Sequence, residues 1–295
     1  MKLFVLDGSW FLYRAYYAFP PMTNSEWRNV NVVYGFFRMI LKIIAEKPDY
    51  FIVARDSPVK THRHDAFPEY KANRKKMEDD FKSQIPLTRT IVDQLGIPNV
   101  VAPWYEADDI IATLATMYKN HKDFMTYIYS SDKDLKQLLD TQTVCIDPMK
   151  SLTTDVKSFY QEFAFEPQYI VDYLSLIGDS SDNIKWVTGI GPKKASELIT
   201  KYHDIDSIYA HIDELSWDIK DKLITGKEDA YKSKSLIQLH MVDEVTKLPL
   251  EKFKFSLDYD LWKRVLSNEY HFTSFDKVLD EIKKKSQLPV QSSLF

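Results

Sequence analysis

Short apolar segments that end in or just before an acidic residue recur along the first half of this 295-residue chain. These strand-like segments are 2–7, 50–56, 125–132 and 143–148. Helical patterns with broad apolar faces separate them at 10–19, 32–46, 85–96 and 106–120. Short buried strands that alternate with helices predict an α/β fold, with a mainly parallel central sheet covered by helices on both faces.

The composition is ordinary for a globular protein, with 44% hydrophobic and 28% charged residues. A single cysteine, Cys145, excludes an internal disulfide framework and a thiolate zinc cage. No apolar run reaches membrane-spanning length, and Asp7 comes too early for a signal peptide. We therefore expect a cytoplasmic protein.

Acidic residues cluster at the predicted ends of strands and starts of helices. There are nine of them: Asp7, Asp56, Glu106, Asp108, Asp109, Asp132, Asp134, Asp179 and Asp182. Crowded carboxylates repel one another unless cations share the space, and ligands of parallel sheets sit at the carboxyl ends of the strands. The pattern predicts a site for hard divalent metals, with Mg²⁺ as the first choice and Mn²⁺ as a substitute. Metal-assisted hydrolysis of phosphate esters is the chemistry that follows.

The cluster EADD (106–109) has a second interpretation. Acidic residues at a helix start cap the helix and interact favourably with its dipole, so capping alone explains this cluster as well. The net charge of −4 does not exclude nucleic acid as a partner. The chain has 43 acidic residues, so 34 remain when the nine clustered acids are set aside, against 39 basic residues. Outside the acidic clusters the chain is therefore net basic, as a nucleic-acid-binding surface requires.

The segment from Lys60 to Lys76 carries six Lys or Arg residues against two Asp or Glu, with Phe67 and Tyr70 interleaved. One interpretation is a solvated loop and helix. The other is a basic arch, at about 60–90, through which a single-stranded 5′ end passes above the metals, since basic groups hold phosphates and aromatic rings stack on bases.

From about Tyr169 the pattern becomes mostly helical, which predicts a helical lobe packed on the sheet. Within it, GIGPKKA (189–195) is a glycine-containing turn that leads into a helix. The turn has a purely structural interpretation. In the functional one, Gly189 and Gly191 let the backbone approach a phosphate closely, and Lys193 and Lys194 add positive charge.

Several motifs together resemble the 5′-nuclease (flap endonuclease) superfamily from residue 3 to about residue 275. They are DGSWFLYRAYYAFPP, D-x₃-KT-x-R, EYKANR, EADD, SDKD and GDSSDNI followed by GIGPKKA. The resemblance is closest to the 5′→3′ exonuclease domain of bacterial DNA polymerase I and to stand-alone bacteriophage exonucleases. It implies a PIN-like, resolvase-like α/β domain at 1–168 and a helical DNA-binding lobe at 169–283. A helix–three-turn–helix element would lie at about 176–203.

The resemblance also implies roles for individual residues. It puts Asp7, Asp56, Glu106, Asp108 and Asp109 around a first metal. It puts Asp132, Asp134, Asp179 and Asp182 around a second metal. Lys71 and Arg74 would contact the scissile phosphate as catalytic residues, and Tyr70 would stack on a base. Further DNA contacts would come from Lys60, Arg63, Phe67, Lys75 and Lys76. The glycine turn would grip duplex DNA through Gly189, Gly191, Lys193 and Lys194, with a K⁺ ion.

Two features depart from the family pattern. Arg55 stands before Asp56 where the family usually has an apolar strand residue, and it either pairs with a ligand acid or points away. The segment 75–81 lacks the prolines of the polymerase version, so we expect an arch of different shape or order.

The tail at 284–295 ends in QSSLF, which resembles the short peptide by which bacterial replication proteins bind the sliding clamp. In that interpretation Gln291 fills a polar notch, and Leu294 and Phe295 fill an apolar pocket. A frayed terminus is the alternative.

The sequence therefore predicts a monomeric, divalent-metal-dependent 5′ nuclease with 5′→3′ exonuclease and flap endonuclease activity. Its substrates would be DNA with 5′ flaps, nicks or 5′ ends, including RNA–DNA primers. Two alternatives stay open: a non-catalytic module that binds branched DNA, and a PIN-like ribonuclease, against which the C-terminal half argues.

Overall fold

The computed structural model describes residues 1–24, 28–119, 121 and 123–287. Its strands are β1 (Lys2–Asp7), β2 (Tyr50–Arg55), β3 (Asn99–Val101), β4 (Met125–Tyr129), β5 (Thr143–Asp147) and β6 (Leu152–Thr154). Its α-helices are α1 (Gly8–Ala18), α2 (Asn31–Ile44), α3 (His62–Ala66), α4 (Asp79–Gln94), α5 (Ala107–Tyr118), α6 (Val156–Phe163), α7 (Ile170–Ile177), α8 (Pro192–Tyr202), α9 (Ile205–Ala210), α10 (Trp217–Thr225), α11 (Lys227–Ile237), α12 (Asp243–Thr246), α13 (Tyr259–Lys263) and α14 (Ser274–Gln287). A π-helical segment, Arg264–Glu269, follows α13.

The described strands form one six-stranded sheet in the order β3-β2-β1-β4-β5-β6. All neighbours are parallel except β5 and β6. The predicted mainly parallel α/β sheet is thus confirmed. Strands β3 and β6 were not anticipated, because each has only three residues and carries little periodicity.

Side chains of each central strand alternate between two hydrophobic cores, as the pleat of a strand requires. In β1, Leu3 and Val5 join the core that contains α5 and α7. Phe4 and Leu6 face the opposite core, which contains α1, α2 and α4. Because both faces of the sheet are covered by helices, the carboxyl edge of the parallel strands is the open side on which polar groups converge.

The last helices return to the α/β unit. Trp262 of α13 and Phe275 and Leu279 of α14 are buried in the same core as Phe37 of α2. Burying a large apolar side chain is worth about 1.5–3 kcal/mol, so these residues attach the C-terminal helices firmly to the sheet. This packing differs from the expectation of one helical lobe running from 169 to 283.

Helix α4 begins at Asp79, six residues before the predicted start, and its first half is tied to α2. The side chain of Gln84 accepts a hydrogen bond from the Val32 N–H (2.9 Å) and donates one to Asn31 Oδ1 (3.0 Å). Much of the predicted arch at 60–90 is therefore packed structure.

Among the helices that the structure describes, none is long and apolar enough to cross a membrane.

Candidate active site

Four carboxylates from separate elements line one cleft at the carboxyl edge of the sheet. Asp7 ends β1, Asp56 follows β2, Asp132 follows β4, and Asp108 lies in the first turn of α5. The cleft has a volume of about 170 Å³, and Lys71 also lines it. The remaining lining residues are Ser9, Trp10, Tyr13, Arg74 and Ala107. The predicted convergence of acids from distant parts of the sequence is thus present in the fold.

Hydrogen bonds to the backbone hold three of these carboxylates in place. Asp7 caps α1 by accepting from the Trp10 N–H (2.9 Å), and its other oxygen accepts from the Ser130 hydroxyl (3.0 Å). Asp56 accepts from the Ala107 N–H at 2.8 Å, which ties the end of β2 to the start of α5. These bonds orient the carboxylates and leave further oxygen lone pairs directed to other partners.

A second cleft adjoins the first and shares Trp10, Arg74 and Asp132 with it. It is also lined by Asp179 and Asp182, which lie in the loop between α7 and α8. Asp179 lies 3.2 Å from the Lys133 ammonium and accepts hydrogen bonds from the backbone and hydroxyl of Ser181. Of the two predicted groups of acids, Asp179 and Asp182 of the second line this cleft, and Asp132 of the same group lines both clefts. The other predicted acids, Glu106, Asp109 and Asp134, do not line either of the two clefts.

Burial and mutual repulsion raise the pKa values of Asp7, Asp108 and Asp132 in the first cleft and of the nearby Asp134. Burial is the main cause for Asp7, whose pKa is raised to about 7 with further contributions from Asp56 and Asp132. Burial followed by the charge of Asp132 raises the pKa values of Asp108 and Asp134 well above the ordinary range. One buried oxygen of Asp134, Oδ1, has no hydrogen-bond donor among the described residues.

These observations test whether the residues suit a divalent metal. The acidic donors are all carboxylate oxygens, which Mg²⁺ and Mn²⁺ prefer. Burial and neighbouring carboxylates raise the pKa values of Asp7 and Asp108, so a cation in the first cleft would stabilise their charged forms. Within the described ranges, no three acidic, histidine or cysteine side chains are already arranged to hold an ion. The chemistry of the site therefore fits divalent metals.

Lys71 and Arg74 supply the positive charge that the structure does contain. The Lys71 ammonium lies 2.8 Å from Glu106 and 3.7 Å from Asp182, and Arg74 pairs with Asp182. The backbone of Lys71 is left-handed (φ +57°), and its N–H donates to the Asp182 carbonyl at 2.9 Å. A strained backbone held in this way fixes the direction of the side chain toward the cleft.

Arg63 and Asp109 form a buried ion pair, which corrects two predictions. Arg63 is 2% exposed and donates two hydrogen bonds to the two Asp109 oxygens, at 2.7 and 2.8 Å, and a third to the Leu236 carbonyl. Asp109 is fully buried and also accepts from the backbone N–H groups of His240 and Glu106. Asp109 therefore does not line either cleft in this structure, and Arg63 is not exposed for a phosphate contact. The capping interpretation holds for the Glu106–Asp109 pair, which forms a capping box.

The aromatic residues of the predicted arch are also buried. Tyr70 is 4% exposed, and its hydroxyl donates to Glu106 at 3.1 Å. Phe67 is 7% exposed and lies beneath the Lys232 ammonium, 3.8 Å away. Both rings support the site from within, which differs from the expectation that they stack on bases. The predicted basic contacts Lys60, Lys75 and Lys76 are exposed.

The predicted helix–three-turn–helix element corresponds to α7, the loop at 178–191, and α8. Gly189 needs its flexibility, because its φ is +83° and a Cβ there would lie 2.7 Å from the Lys222 side chain. Gly191 caps α8 and has open space on its Cβ side. In the first turn of α8, Lys193 is exposed, and Lys194 is half-buried and pairs with Glu197.

Comparisons with known proteins identify the family. A model for the N-terminal resolvase-like domain of 5′-3′ exonucleases matches residues 2–166, and a model for their C-terminal SAM fold matches residues 165–258. The chain belongs to the 5′-3′ exonuclease family. It is a 5′ nuclease, and the resemblance to the 5′-nuclease superfamily is confirmed.

Relatives match over different shares of their length. The chain is 37% identical over 295 residues to a 5′-3′ exonuclease of Aquifex aeolicus, covering 99% of each. It is 36% identical over 271 residues to DNA polymerase I of Bacillus subtilis, and there it spans 30% of the relative's length. The fold is similar to that of T5 5′-exonuclease with bound zinc (TM-score 0.67, 19% identity, 97% and 98% of the two chains). The catalytic core of Rad2 in complex with DNA is also similar (TM-score 0.64, 16% identity, 95% and 92% coverage).

The site of this 5′ nuclease contains residues that the sequence patterns did not single out. Trp10 lines both clefts and donates to the Ser131 hydroxyl at 2.7 Å, and Lys133 pairs with Asp179. Ser130 holds Asp7. Trp10 follows DGS, Ser130 precedes SDKD, and Lys133 lies within SDKD. Their positions beside these motifs were the sequence signal that could have identified them as site residues. The predicted clamp-binding residues Gln291, Leu294 and Phe295 lie outside the described residues.

Replacing Asp7 with Asn is expected to change how the stability of the metal-free protein depends on pH. The folded-state pKa of Asp7, about 7, lies above its ordinary value of 3.8, so the folded state loses stability as pH rises between these values. Asn keeps the cap of α1 and removes the charge. In urea unfolding with EDTA, D7N should therefore be stabilised relative to wild type more at pH 8 than at pH 5. An equal difference at both pH values would contradict the assignment.

Proposed function

We propose that this 5′ nuclease hydrolyses phosphodiesters near 5′ ends of DNA, including 5′ flaps, with the help of divalent metal ions. The observation that carries the proposal is the convergence of Asp7, Asp56, Asp108 and Asp132 on one cleft beside Lys71. The metal requirement is supported by the zinc-bound state of the T5 enzyme, and the DNA substrate by the DNA complex of Rad2.

The first cleft would hold one ion through Asp7, Asp56, Asp108 and Asp132, and the second would hold another through Asp132, Asp179 and Asp182, with Asp134 close to these three. Divalent ions in such a site activate water and stabilise the charge of the leaving oxygen. The four backbone-anchored or buried carboxylates then supply pre-oriented ligands, since their positions are fixed by β1, β2, β4 and α5.

Lys71 and Arg74 would bind the scissile phosphate. Lys71 pairs with Glu106 and Asp182, Arg74 pairs with Asp182, and both also line the first cleft. A phosphate that enters the cleft would compete with these carboxylates for the Lys71 ammonium and the Arg74 guanidinium. The two side chains would then orient the phosphodiester and offset the negative charge that develops on it during hydrolysis.

The loop before α8 would hold the duplex at a distance from the cut. Gly191 has open space on its Cβ side, the nearby Lys193 is exposed, and Lys194 is half-buried. Backbone N–H groups at the start of α8 point toward an anion placed there. Such contacts read the DNA backbone and not its sequence. A K⁺ ion bound at this loop belongs to the same proposal.

The direct test is incubation of the purified protein with a 5′-flap duplex in Mg²⁺, in Mn²⁺ and in EDTA. We expect cleavage near the flap junction in either metal and none in EDTA. A matched duplex with an RNA flap measures the preference for the displaced strand. Tight binding of the flap without cleavage in any divalent metal would instead favour the non-catalytic branched-DNA module.

Replacing Lys71 with Ala is expected to lower the cleavage rate of the flap substrate by about 10²-fold, because the transition state loses a directed positive charge. Substrate affinity should change much less, since many other contacts hold the DNA. Single-turnover cleavage separates the two effects. Lys82→Ala is the matched control, because Lys82 is exposed on α4 and pairs only with Asp79. A K71A rate equal to that of K82A would remove Lys71 from the catalytic group.

A further inference from the structure

Trp104 combines an unfavourable backbone conformation with a large exposed side chain. Its φ is +71°, in the left-handed region that a bulky residue rarely adopts, and 56% of the residue is exposed. Burial of the indole therefore does not offset the backbone strain. A strained conformation that packing does not require points to a binding role for the side chain that it presents.

Hydrogen bonds fix the peptide of Trp104 between two loops. Its N–H donates to the Ser57 hydroxyl (3.3 Å), and its carbonyl accepts from the His62 N–H (3.1 Å). A further backbone bond runs from the Ser57 N–H to the Tyr105 carbonyl, at 3.3 Å. The loop after β2 and the loop after β3 are thereby joined. An aromatic ring on a braced backbone binds a partner with little further loss of conformational entropy.

The sheet order places Trp104 beside the first cleft. Along the carboxyl edge, the strands β3, β2, β1 and β4 are followed by Trp104, Asp56, Asp7 and Asp132, in that order. Neighbouring strands of a sheet lie about 5 Å apart. Asp56 also accepts from the N–H of Ala107, three residues after Trp104, at 2.8 Å. The indole therefore lies on the β3 side of the carboxylates that line the cleft.

The second cleft lies on the opposite, β4 side of the first. It is lined by Asp132 and Lys133, which follow β4, and by Asp179 and Asp182 of the loop that leads to the glycine turn. If the glycine turn holds the duplex, the duplex reaches the cut from the β4 side. The strand that continues beyond the cut then leaves toward β3, where Trp104 lies.

The surface around Trp104 suits an unpaired strand of DNA. The loop after β2 also carries Lys60, which is exposed, and Val59, which is 46% exposed. Proteins bind single strands by combining cations that hold phosphates with aromatic rings on which bases stack. A duplex keeps its bases stacked on one another and offers a free base face only at its ends. An unpaired strand therefore matches the exposed ring better than a duplex does.

We propose that Trp104 stacks on a base of the unpaired 5′ strand that is displaced beyond the cut. The partner of this surface is single-stranded DNA, and the contact makes Trp104 a determinant of the preference for 5′ flaps over fully paired 5′ ends. The inference rests on the proposed function for the direction in which the DNA crosses the cleft. Trp104 holds the flap and takes no part in the hydrolysis itself.

The test measures binding to two 5′-flap duplexes in EDTA. Their flaps have equal length and the same phosphates, but one flap carries thymine bases and the other is abasic throughout. Stacking of one base on an aromatic ring strengthens binding by about tenfold, so wild type should prefer the thymine flap by about this factor. The variant W104G should bind both flaps equally, at the level of wild type on the abasic flap. Its slope of log K against log salt should match that of wild type, because no phosphate contact is lost.

Two further variants and a melting curve make this result specific. W104F keeps an aromatic ring and should retain most of the preference for the thymine flap. Y160A removes an exposed ring on α6, which packs beside β6 at the opposite edge of the sheet from β3, and should match wild type. Glycine adopts a positive φ without strain, so W104G should melt at or above the wild-type temperature. If W104G melts far below wild type and loses affinity for both flaps alike, the ring is a structural element and the proposal is overturned.

The outcomes separate this inference from the proposed function. A wild-type protein that cuts the flap duplex but binds the two flaps equally overturns the inference and leaves the proposed function intact. A preference for the thymine flap that persists in W104G also overturns the inference. Base-dependent binding that is lost in W104G, in a protein that cuts no DNA with any divalent metal, refutes the proposed hydrolysis and supports the single-strand site.

Discussion

Replacing Asp108 and Asp132 together with Asn is expected to lower the cleavage rate of a 5′-flap duplex by about 10³-fold or more. Both carboxylates line the first cleft, and burial together with neighbouring carboxylates raises the pKa values of both. Asn has nearly the same volume but no charge, so the variant keeps the packing and loses two hard anionic ligands. Single-turnover cleavage in saturating Mg²⁺ measures the effect.

Asp147→Asn is the matched control for this loss. Asp147 is another buried acid at the end of a strand, β5, but it caps the turn at Met149 and Lys150 and does not line either cleft. We expect its cleavage rate to stay within about threefold of wild type, since Asp147 lies outside both clefts and Asn keeps its volume. Unchanged cleavage by D108N/D132N in a folded protein would refute the carboxylate site.

Replacing Arg63 with Ala is expected to lower the free energy of unfolding by about 3–5 kcal/mol, because it leaves the charge of Asp109 buried and unpaired. The pair joins α3 and α5 to the last turn of α11, through the Leu236 carbonyl, and to the segment after α11, through the His240 N–H. Asp109→Ala should cost a similar amount, since it strands the guanidinium instead. Urea unfolding of both variants measures the loss.

Two comparisons make this result specific. Lys220→Ala removes one partner of an exposed pair with Asp213 and should change stability by no more than about 1 kcal/mol. The double variant R63M/D109L replaces the buried charges with apolar groups and should recover much of the loss. If R63A is no less stable than K220A, Arg63 is not in the buried pair described here.

The fold class and most of the acids that line the first cleft could be predicted from the sequence. Short apolar strands ending in Asp7, Asp56 and Asp132 imply a parallel sheet, and the carboxyl ends of such strands meet at one edge. These conclusions need only local periodicity and the topology that it implies. They did not require knowledge of any side-chain contact.

Acid type alone did not separate the ligands from the structural carboxylates. Asp108 and Asp109 are adjacent in the sequence, yet one lines the cleft and the other is fully buried against Arg63. On a helix, neighbouring residues point about 100° apart, so which one faces the cleft depends on how α5 is rotated against the sheet. Arg63, the ion-pair partner against which Asp109 is buried, lies 46 residues away in the sequence.

The arch region shows the same limit. Charge and aromatic content predicted exposed DNA contacts for Arg63, Phe67 and Tyr70, but tertiary packing buries all three. The orientation of Arg55 was likewise undetermined until β2 was paired in the sheet and α4 brought Arg89 beside it. The sequence by itself determined the sheet, the family and the supply of carboxylates. Only the tertiary structure decided which charges meet each other and which remain free for a ligand, because that depends on contacts between residues far apart in the chain.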